Sequence, residues 1–196
     1  MDILINNAGY LLSGAIEETS IQEAKSQFET NFFGVARMVK TVLPIMRQQR
    51  RGQIINISST AGLDPHPFGG FYSASKFALK GYTEALRHEV KRFNITVSII
   101  ELGFFKTNIS NVARLSAETI DDYTEMRQRV LSIIQEGVQN GQNPKLIANT
   151  ILRIIQSRLP RLRYTVGKGT WSSRMKGIIP ESMYERGTRR YWKLDG

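Results

Sequence analysis

The chain has 196 residues, of which 41% are hydrophobic and 22% charged, the balance of one globular domain with a real core. It has no cysteine, which excludes disulfide and thiol chemistry, and only two histidines, His66 and His88, with no clustered carboxylates, which argues against a metal site. The formal charge of +10 is unevenly placed: residues 1–152 carry 16 basic and 14 acidic side chains, residues 153–196 carry 11 and 3, so only the tail is basic.

Taken in order, Ile3–Ile5 reads as a short buried strand of the parallel type. It stands at the edge position with no charge or proline to protect it. Ser20-Ile21-Gln22-Glu23 is a capping box, and the helix it opens runs to about Arg47–Gln49. Its apolar stripe includes Ala24, Phe28, Phe32, Val35, Val39, Leu43 and Met46. Asn31 interrupts that stripe. Its plainer role is to bend the helix; its sharper role is an amide that holds a water near Tyr72 and Lys76. Pro44 is expected to bend the helix near its end.

Gln53–Ser58 is the second strand, and a helix follows from about Phe71 to Arg92. Thr96–Glu101, rich in β-branched residues, is the third strand. Residues 108–143 are polar and irregular, with a helix expected from Ala117 to Glu136, and are a candidate substrate lid. Asn143-Pro144 caps a further helix to about Arg158, and residues 163–167 form a last short strand. Pro180 starts a final helix in a tail that mixes Trp171, Met175, Ile178, Met183, Tyr184, Tyr191 and Trp192 with Lys and Arg. Strand alternating with helix predicts an α/β, doubly wound parallel sheet, in which sites gather at the carboxyl ends of strands. Asn7, Ser59 and Gly103 all lie at such ends.

The stretch from Ile54 to Lys76 carries the chemistry. A buried strand ends at Ser58-Ser59, a loop rich in Gly and Pro follows, and a helix opens with Tyr72-Ser73-Ala74-Ser75-Lys76. Tyr72 and Lys76 share a helix face. An ammonium beside a phenol favours the phenolate, so Lys76 is expected to lower the pKa of Tyr72. Ser59 can bring a hydroxyl to the same place. A bare Tyr-x-x-x-Lys is a short pattern that an ordinary helix surface supplies far more often than an active site does.

In combination the pieces are specific. Asn6-Asn7-Ala8-Gly9, Asn31, Ile55-Asn56-Ile57-Ser58-Ser59, Tyr72-Ser73-Ala74-Ser75-Lys76 and Gly103 with Thr107 resemble the short-chain dehydrogenases/reductases, in order and with Ser59 13 residues before Tyr72. The continuation Phe77–Gly81, the Ile99–Glu101 strand and the basic tail are similar to the branch with 17β-hydroxysteroid and retinol dehydrogenases. The resemblance implies a Rossmann-like fold and NAD or NADP as cofactor. It implies Tyr72 as the proton donor or acceptor and Lys76 as the group that lowers its pKa and holds the nicotinamide ribose. Ser59 then orients the substrate oxygen and Asn31 holds a water. Asn7, Ala8 and Gly9 pack by the adenosine side, and Gly103, Phe105 and Thr107 meet the nicotinamide. The substrate is expected to be an apolar alcohol or ketone, in a pocket lined by Phe68, Phe71, Phe104 and residues 108–143; for the aromatics, plain core packing is an equal expectation. The two long helices, near 21–48 and 71–92, are expected to pair between subunits of a homo-oligomer.

Two departures matter. Leu102 stands where the family usually has proline. The sequence also has no Gly-x-x-x-Gly-x-Gly loop after a strand, the feature that seats a pyrophosphate on a helix N-terminus. The expectation is an N-terminally truncated member, lacking its first three strands, in which residues 1–167 are the C-terminal part of a dinucleotide-binding domain with weakened cofactor binding. A non-catalytic binding or dimerisation partner is the alternative. The basic tail, 168–196, matches no nucleic-acid module. It is expected to pack on the substrate pocket or, with about half that weight, to lie on a membrane surface. No apolar run nears the roughly 20 residues that span a bilayer, and no basic segment leads into an apolar one, so the expected location is cytoplasmic.

Overall fold

The computed structural model describes residues 1–110, 113–170 and 179–195. Trp171, Met175 and Ile178, which the sequence places in the apolar part of the tail, lie outside the described residues. Four strands form one parallel sheet in the spatial order β1, β3, β4, β6: β1 (Ile3–Asn6), β3 (Gly52–Ser59), β4 (Ile95–Leu102) and β6 (Arg163–Val166). The register pairs Ile5 with Ile55, Ile54 with Val97, Ser59 with Leu102 and Glu101 with Thr165. The central strands are near-continuous β-branched runs because both faces are covered; Ile54, Ile55, Val97, Ile99 and Ile100 have no exposed surface.

Helices lie on both faces. On one, α2 (Gly34–Gln49) and α3 (Gly70–Val90) bring Val39, Val42, Met46, Leu79, Leu86 and Val90 onto Ile54, Ile95 and Val97. On the other, α5 (Lys145–Gln156) sets Ile151, Ile154 and Ile155 on Ile55, Ile57 and Ile100. This is an α/β, Rossmann-like arrangement with a doubly wound parallel sheet. The edge strand β1 leaves Ile3 36% and Ile5 41% exposed.

The capping box forms as expected: Ser20 Oγ accepts from Glu23 N, and Glu23 Oε2 accepts from Ser20 N. The helix it opens is not uniform. Helix α1 (Ile21–Phe28) passes into a π turn, Glu29–Phe33, before α2 begins. Asn31 sits in that turn, 1% exposed, and its amide bonds the Tyr10 backbone, with Nδ2 donating to Tyr10 O at 3.1 Å and Oδ1 accepting from Tyr10 N at 3.1 Å. The inserted residue resets the helical phase so that an amide, rather than an apolar side chain, faces inward.

The helix expected from Ala117 begins later, as α4 (Thr124–Gln139). Arg114–Leu115 instead form β5, which pairs with β2 (Leu12–Ser13). The next amides are also taken: Ala117 N donates to Glu23 Oε1 and Ile120 N to Glu18 Oε1, each at 2.9 Å. With those donors satisfied outside a helix, the chain turns helical only once clear of them. Downstream, Asn143 Oδ1 accepts from Lys145 N at 2.9 Å, and α6 (Glu181–Tyr191) follows Pro180.

Candidate functional site

Three strand ends meet at one side of the sheet. β3 delivers Ser59, whose Oγ accepts from Ala61 N at 3.1 Å and so caps a single turn over Thr60–Gly62. That turn packs directly on α3: a Cβ at Gly62 would stand 2.9 Å from the Lys76 carbonyl oxygen. Tyr72 and Lys76 then project one turn apart from α3. β1 delivers Asn7 and Gly9. A Cβ at Gly9 would lie 3.1 Å from Asn31 Oδ1 and 3.6 Å from Lys76 Nζ, so Gly9, Asn31 and Lys76 converge on one small space. Asn31 Nδ2 also donates to Ser75 Oγ at 3.2 Å, which ties the π turn to α3.

β4 delivers Gly103. Its N–H donates to Val166 O at 2.8 Å, and a Cβ there would collide with the Lys168 carbonyl. Glycine is therefore required, whether or not the preceding residue is proline. Phe105 is buried, and Thr107 N donates to Phe105 O at 2.9 Å.

The electrostatics differ from the sequence expectation. Burial pushes the Tyr72 phenol up from its ordinary value, and the Ser59 hydroxyl beside it only partly offsets this. Burial also pushes the Lys76 ammonium down, to about 8. Lys76 Nζ is 5.7 Å from the centre of the Tyr72 ring and donates a long bond to Ile57 O at 3.4 Å. The lysine therefore does not lower the tyrosine in this state: loss of water sets the direction of both shifts.

These residues border a cavity of about 750 Å³. Asn7, Gly9, Ser59, Tyr72, Lys76, Gly103, Phe104, Phe105 and Thr107 all line it. Ala8 and Asn31 are not among its lining residues, and neither are Phe68 and Phe71. Phe68 is 8% exposed and packs in a separate cluster with Ala15 and Val130, stacking edge-on against Tyr123; it is core, not pocket wall. From the 108–143 segment, Asn108 and Ile109 and, on α4, Ile134 and Val138 reach the cavity.

The far wall is formed in large part by the tail helix, which packs on the cavity as the sequence led us to expect, and the loop residues beside it carry no motif. This wall consists of Asp64 and His66 from the loop after β3 and of Met183, Tyr184, Tyr191 and Trp192 from α6 and the residue after it. Trp192 lies tilted on His66, with centroids 5.4 Å apart, and His66 faces Tyr72 at 6.1 Å. The usable signal was the recurrence of Tyr184, Thr188, Tyr191 and Trp192 at helical spacing.

The lining residues fit the nicotinamide end of a dinucleotide. A space beside Gly9 is kept free of side chain between an amide and an ammonium, and Gly103 lets the backbone come close. Among the described residues no group of three or more His, Cys, Asp or Glu is placed to hold a metal, and no helix is long and apolar enough to cross a membrane.

The family model described as short chain dehydrogenase matches residues 1–118. The chain is 40% identical over 199 residues to 3-ketodihydrosphingosine reductase of Bacteroides thetaiotaomicron, covering 99% of this chain and 74% of that protein. It is 37% identical over 171 residues to retinol dehydrogenase 8 of Bos taurus, covering 83% of this chain and 55% of that one. A solved short-chain dehydrogenase from Streptomyces avermitilis superposes with a TM-score of 0.82 at 32% identity, covering 99% of this chain and 69% of the other. Other solved structures with the same fold hold NADP+ or NAD.

Proposed function

This chain belongs to the short-chain dehydrogenase family of oxidoreductases, and from that premise we propose that its cavity is the active site for hydride exchange between a nicotinamide cofactor and the carbonyl or alcohol carbon of an apolar substrate. The observation that carries this reading is the convergence of Ser59, Tyr72 and Lys76 on one wall of a cavity whose other walls are mostly apolar. The nicotinamide, when bound, supplies or accepts the hydride.

The residues do the rest. In the reducing direction the Tyr72 hydroxyl gives its proton to the substrate oxygen as that oxygen gains charge. A buried phenol holds its proton until then, so burial favours the donor form. The Ser59 hydroxyl, next to Tyr72, donates to the same oxygen and fixes its position. Lys76 has an ammonium with one long bond to Ile57 O. It can donate to the nicotinamide ribose and, charged below its pKa of about 8, stabilise the phenolate beside it. Gly103, Phe105 and Thr107 would hold the nicotinamide end, and we assign Asn7 and Gly9 there too rather than to the adenosine side that the resemblance implies, because a Cβ at Gly9 would lie 3.6 Å from Lys76 Nζ. Asn31 acts as a positioning residue: it fixes the Tyr10 backbone and the Ser75 side chain around Lys76.

The substrate is a chain-like or ring ketone or alcohol, which accords with the lipid-directed names of two relatives, the 3-ketodihydrosphingosine reductase and the retinol dehydrogenase. The cavity wall of Leu11, Phe104, Ile134, Val138, Met183 and Trp192 stabilises such a body by about 25 cal/mol per Å² of apolar surface removed from water. The test is reduction of 2-dodecanone against acetone with NADH and NADPH. The long ketone is expected to have a kcat/KM higher by at least about 100-fold, since each buried methylene contributes about 0.8 kcal/mol. Reduction of both at similar rates, or of neither, would contradict the reading.

A further inference from the structure

We propose that the chain docks on an anionic membrane surface through the face at the amino ends of its strands, opposite the cavity, with Leu159 entering the lipid and the surrounding arginines meeting the headgroups.

Three segments run into neighbouring parallel strands: residues 47–52 into β3, 91–94 into β4 and 157–163 into β6. Together they hold eight Lys or Arg and no Asp or Glu. Specific contacts bring them to one face. The guanidinium groups of Arg50 and Arg92 lie over the Phe93 ring, 5.4 Å and 5.3 Å from its centre, and Arg47 borders the same groove beside Pro44. Arg87 Nη2 donates to Pro160 O at 2.8 Å and Ser98 Oγ to Arg161 O at 2.7 Å, which fastens the third segment against β4.

Little of this charge is neutralised within the chain. Arg51 pairs with Asp2 and Arg163 with Glu84. The other six cations form no ion pair among the described residues, and residues 111–112, 171–178 and 196 contain no Asp or Glu. Glu89, before the end of α3, stands beside Tyr82. Helices α2, α3 and α5 all end on this side, and helix C-termini attract cations. That attraction accounts for part of the charge, but not for Leu159, which is 89% exposed and flanked by Arg158 and Arg161. The next residue, Pro160, is buried and its carbonyl is held by Arg87, so the loop is fastened with Leu159 outward.

This pattern selects the partner. An apolar tip within a cationic surface matches the boundary between anionic headgroups and acyl chains. A nucleic-acid strand would call for aromatic faces free to stack on bases, and the Phe93 ring is already taken by two guanidinium groups. The tail helix, also basic, is committed to the cavity wall. Strand β3 has 8 residues, so at about 3.3 Å per residue its two ends stand about 25 Å apart. That exceeds the screening length of about 8 Å at physiological salt. Docked this way, the chain keeps its cavity directed to water and outside the field of the lipid surface.

The experiment is co-sedimentation of the full chain with vesicles of phosphatidylcholine alone or with about one third phosphatidylserine, at about 0.15 M salt, with circular dichroism to confirm that each variant is folded. The wild-type chain is expected to bind the anionic vesicles at least about tenfold more tightly than the neutral ones. Arg50→Gln with Arg92→Gln and Arg158→Gln should weaken binding about 100-fold, since each basic residue at an anionic surface contributes about fivefold. Leu159→Ser, which removes no charge and disturbs no packing, should weaken it about tenfold. Arg186→Gln with Arg190→Gln, on the tail helix, should leave it within about twofold. Equal binding to both vesicles, or to neither, would overturn the proposal. So would a tail variant that loses as much as the triple variant. Binding that ignores Leu159→Ser, or tighter binding of the wild-type chain to single-stranded RNA than to the anionic vesicles, would overturn the membrane as partner.

Discussion

Lys76 Nζ lies 5.7 Å from the centre of the Tyr72 ring, one turn along the same helix, with the lysine buried and the tyrosine half-buried at the cavity wall. Each is shifted toward its neutral form, the tyrosine upward and the lysine down to about 8. The pair is therefore set for proton donation and held at a cost to stability.

That cost has a sign that can be measured. Lys76 has a folded pKa of about 8 against an ordinary value of 10.5. Between those values the unfolded chain binds more protons than the folded one, so this residue makes stability rise with pH. Below about 8 the full penalty is present, on the order of 3 kcal/mol. Lys76→Met is expected to melt higher than the wild-type chain at pH 7, with the gap closing between pH 8 and 10.5. A gap independent of pH, or a variant less stable throughout, would show that Lys76 is not held as described.

The strand ends are held by a buried polar chain. Asn6 Nδ2 donates to Asn56 Oδ1 at 2.8 Å, Asn56 Nδ2 to Thr83 Oγ1 at 2.9 Å, and Thr83 Oγ1 to Leu79 O at 2.6 Å. Asn56→Ala leaves a donor on Asn6 and an acceptor on Thr83 without partners. The expected cost is about 3 kcal/mol, read as a lower urea midpoint at unchanged slope. A loss below about 1 kcal/mol would mean that the site is not braced through this network.

Glu18 fastens the α4 wall. Its side chain is fully buried and bonds Ala15 N, Ile120 N and the guanidinium of Arg127 on α4. Burial alone would raise its carboxyl, but these donors together hold it below its ordinary value. Its contribution is therefore present above about pH 4.5 and lost as pH falls through the lower folded value. Glu18→Gln should cost about 3 kcal/mol at pH 7, with the difference from wild type shrinking in acid. An equal difference at pH 7 and pH 3 would contradict that origin.

The π turn and helices α2 and α3 expose apolar side chains: Phe33 of the turn is 47%, Met38 and Ile45 of α2 are 49% and 45%, and Phe77 of α3 is 37% exposed. The resemblance implies that these helices pair between subunits, and such exposure suits that role. Sedimentation should find a dimer at micromolar concentration, shifted at least about tenfold toward monomer by Met38→Glu with Phe77→Glu. A monomeric wild-type chain, or dimers that withstand both substitutions, would exclude the pairing.

Much of the site could be read before the structure, because its parts are local. Tyr72 and Lys76 depend only on helical spacing, and Ser59 and Gly103 only on where strands end. The β-branched runs of β3 and β4 announced a sheet covered on both faces. The phase change at Asn31 could not be read, since a π turn leaves no mark in a stripe of apolar residues. The start of α4 was misplaced because the amides of Ala117 and Ile120 are claimed by Glu23 and Glu18, 94 and 102 residues away. The direction of the Tyr72 shift was missed for a related reason: spacing shows that a lysine is near, but not how much water both groups lose. Asp64 and His66 carry no motif and acquire meaning only when α6 closes over them.

The central claim is that Tyr72 moves the proton in a hydride-transfer reaction. The most direct test is transfer of deuterium from 4-deuterated NADH or NADPH to 2-dodecanone, followed by mass spectrometry of the alcohol, in the wild-type chain and in Tyr72→Phe. The wild-type chain is expected to deliver one deuterium to the carbinol carbon, and Tyr72→Phe to fall by about 10²–10⁴ in kcat/KM with the fold and melting temperature retained. Transfer in Tyr72→Phe at the wild-type rate, or deuterium absent from the wild-type product, would contradict it.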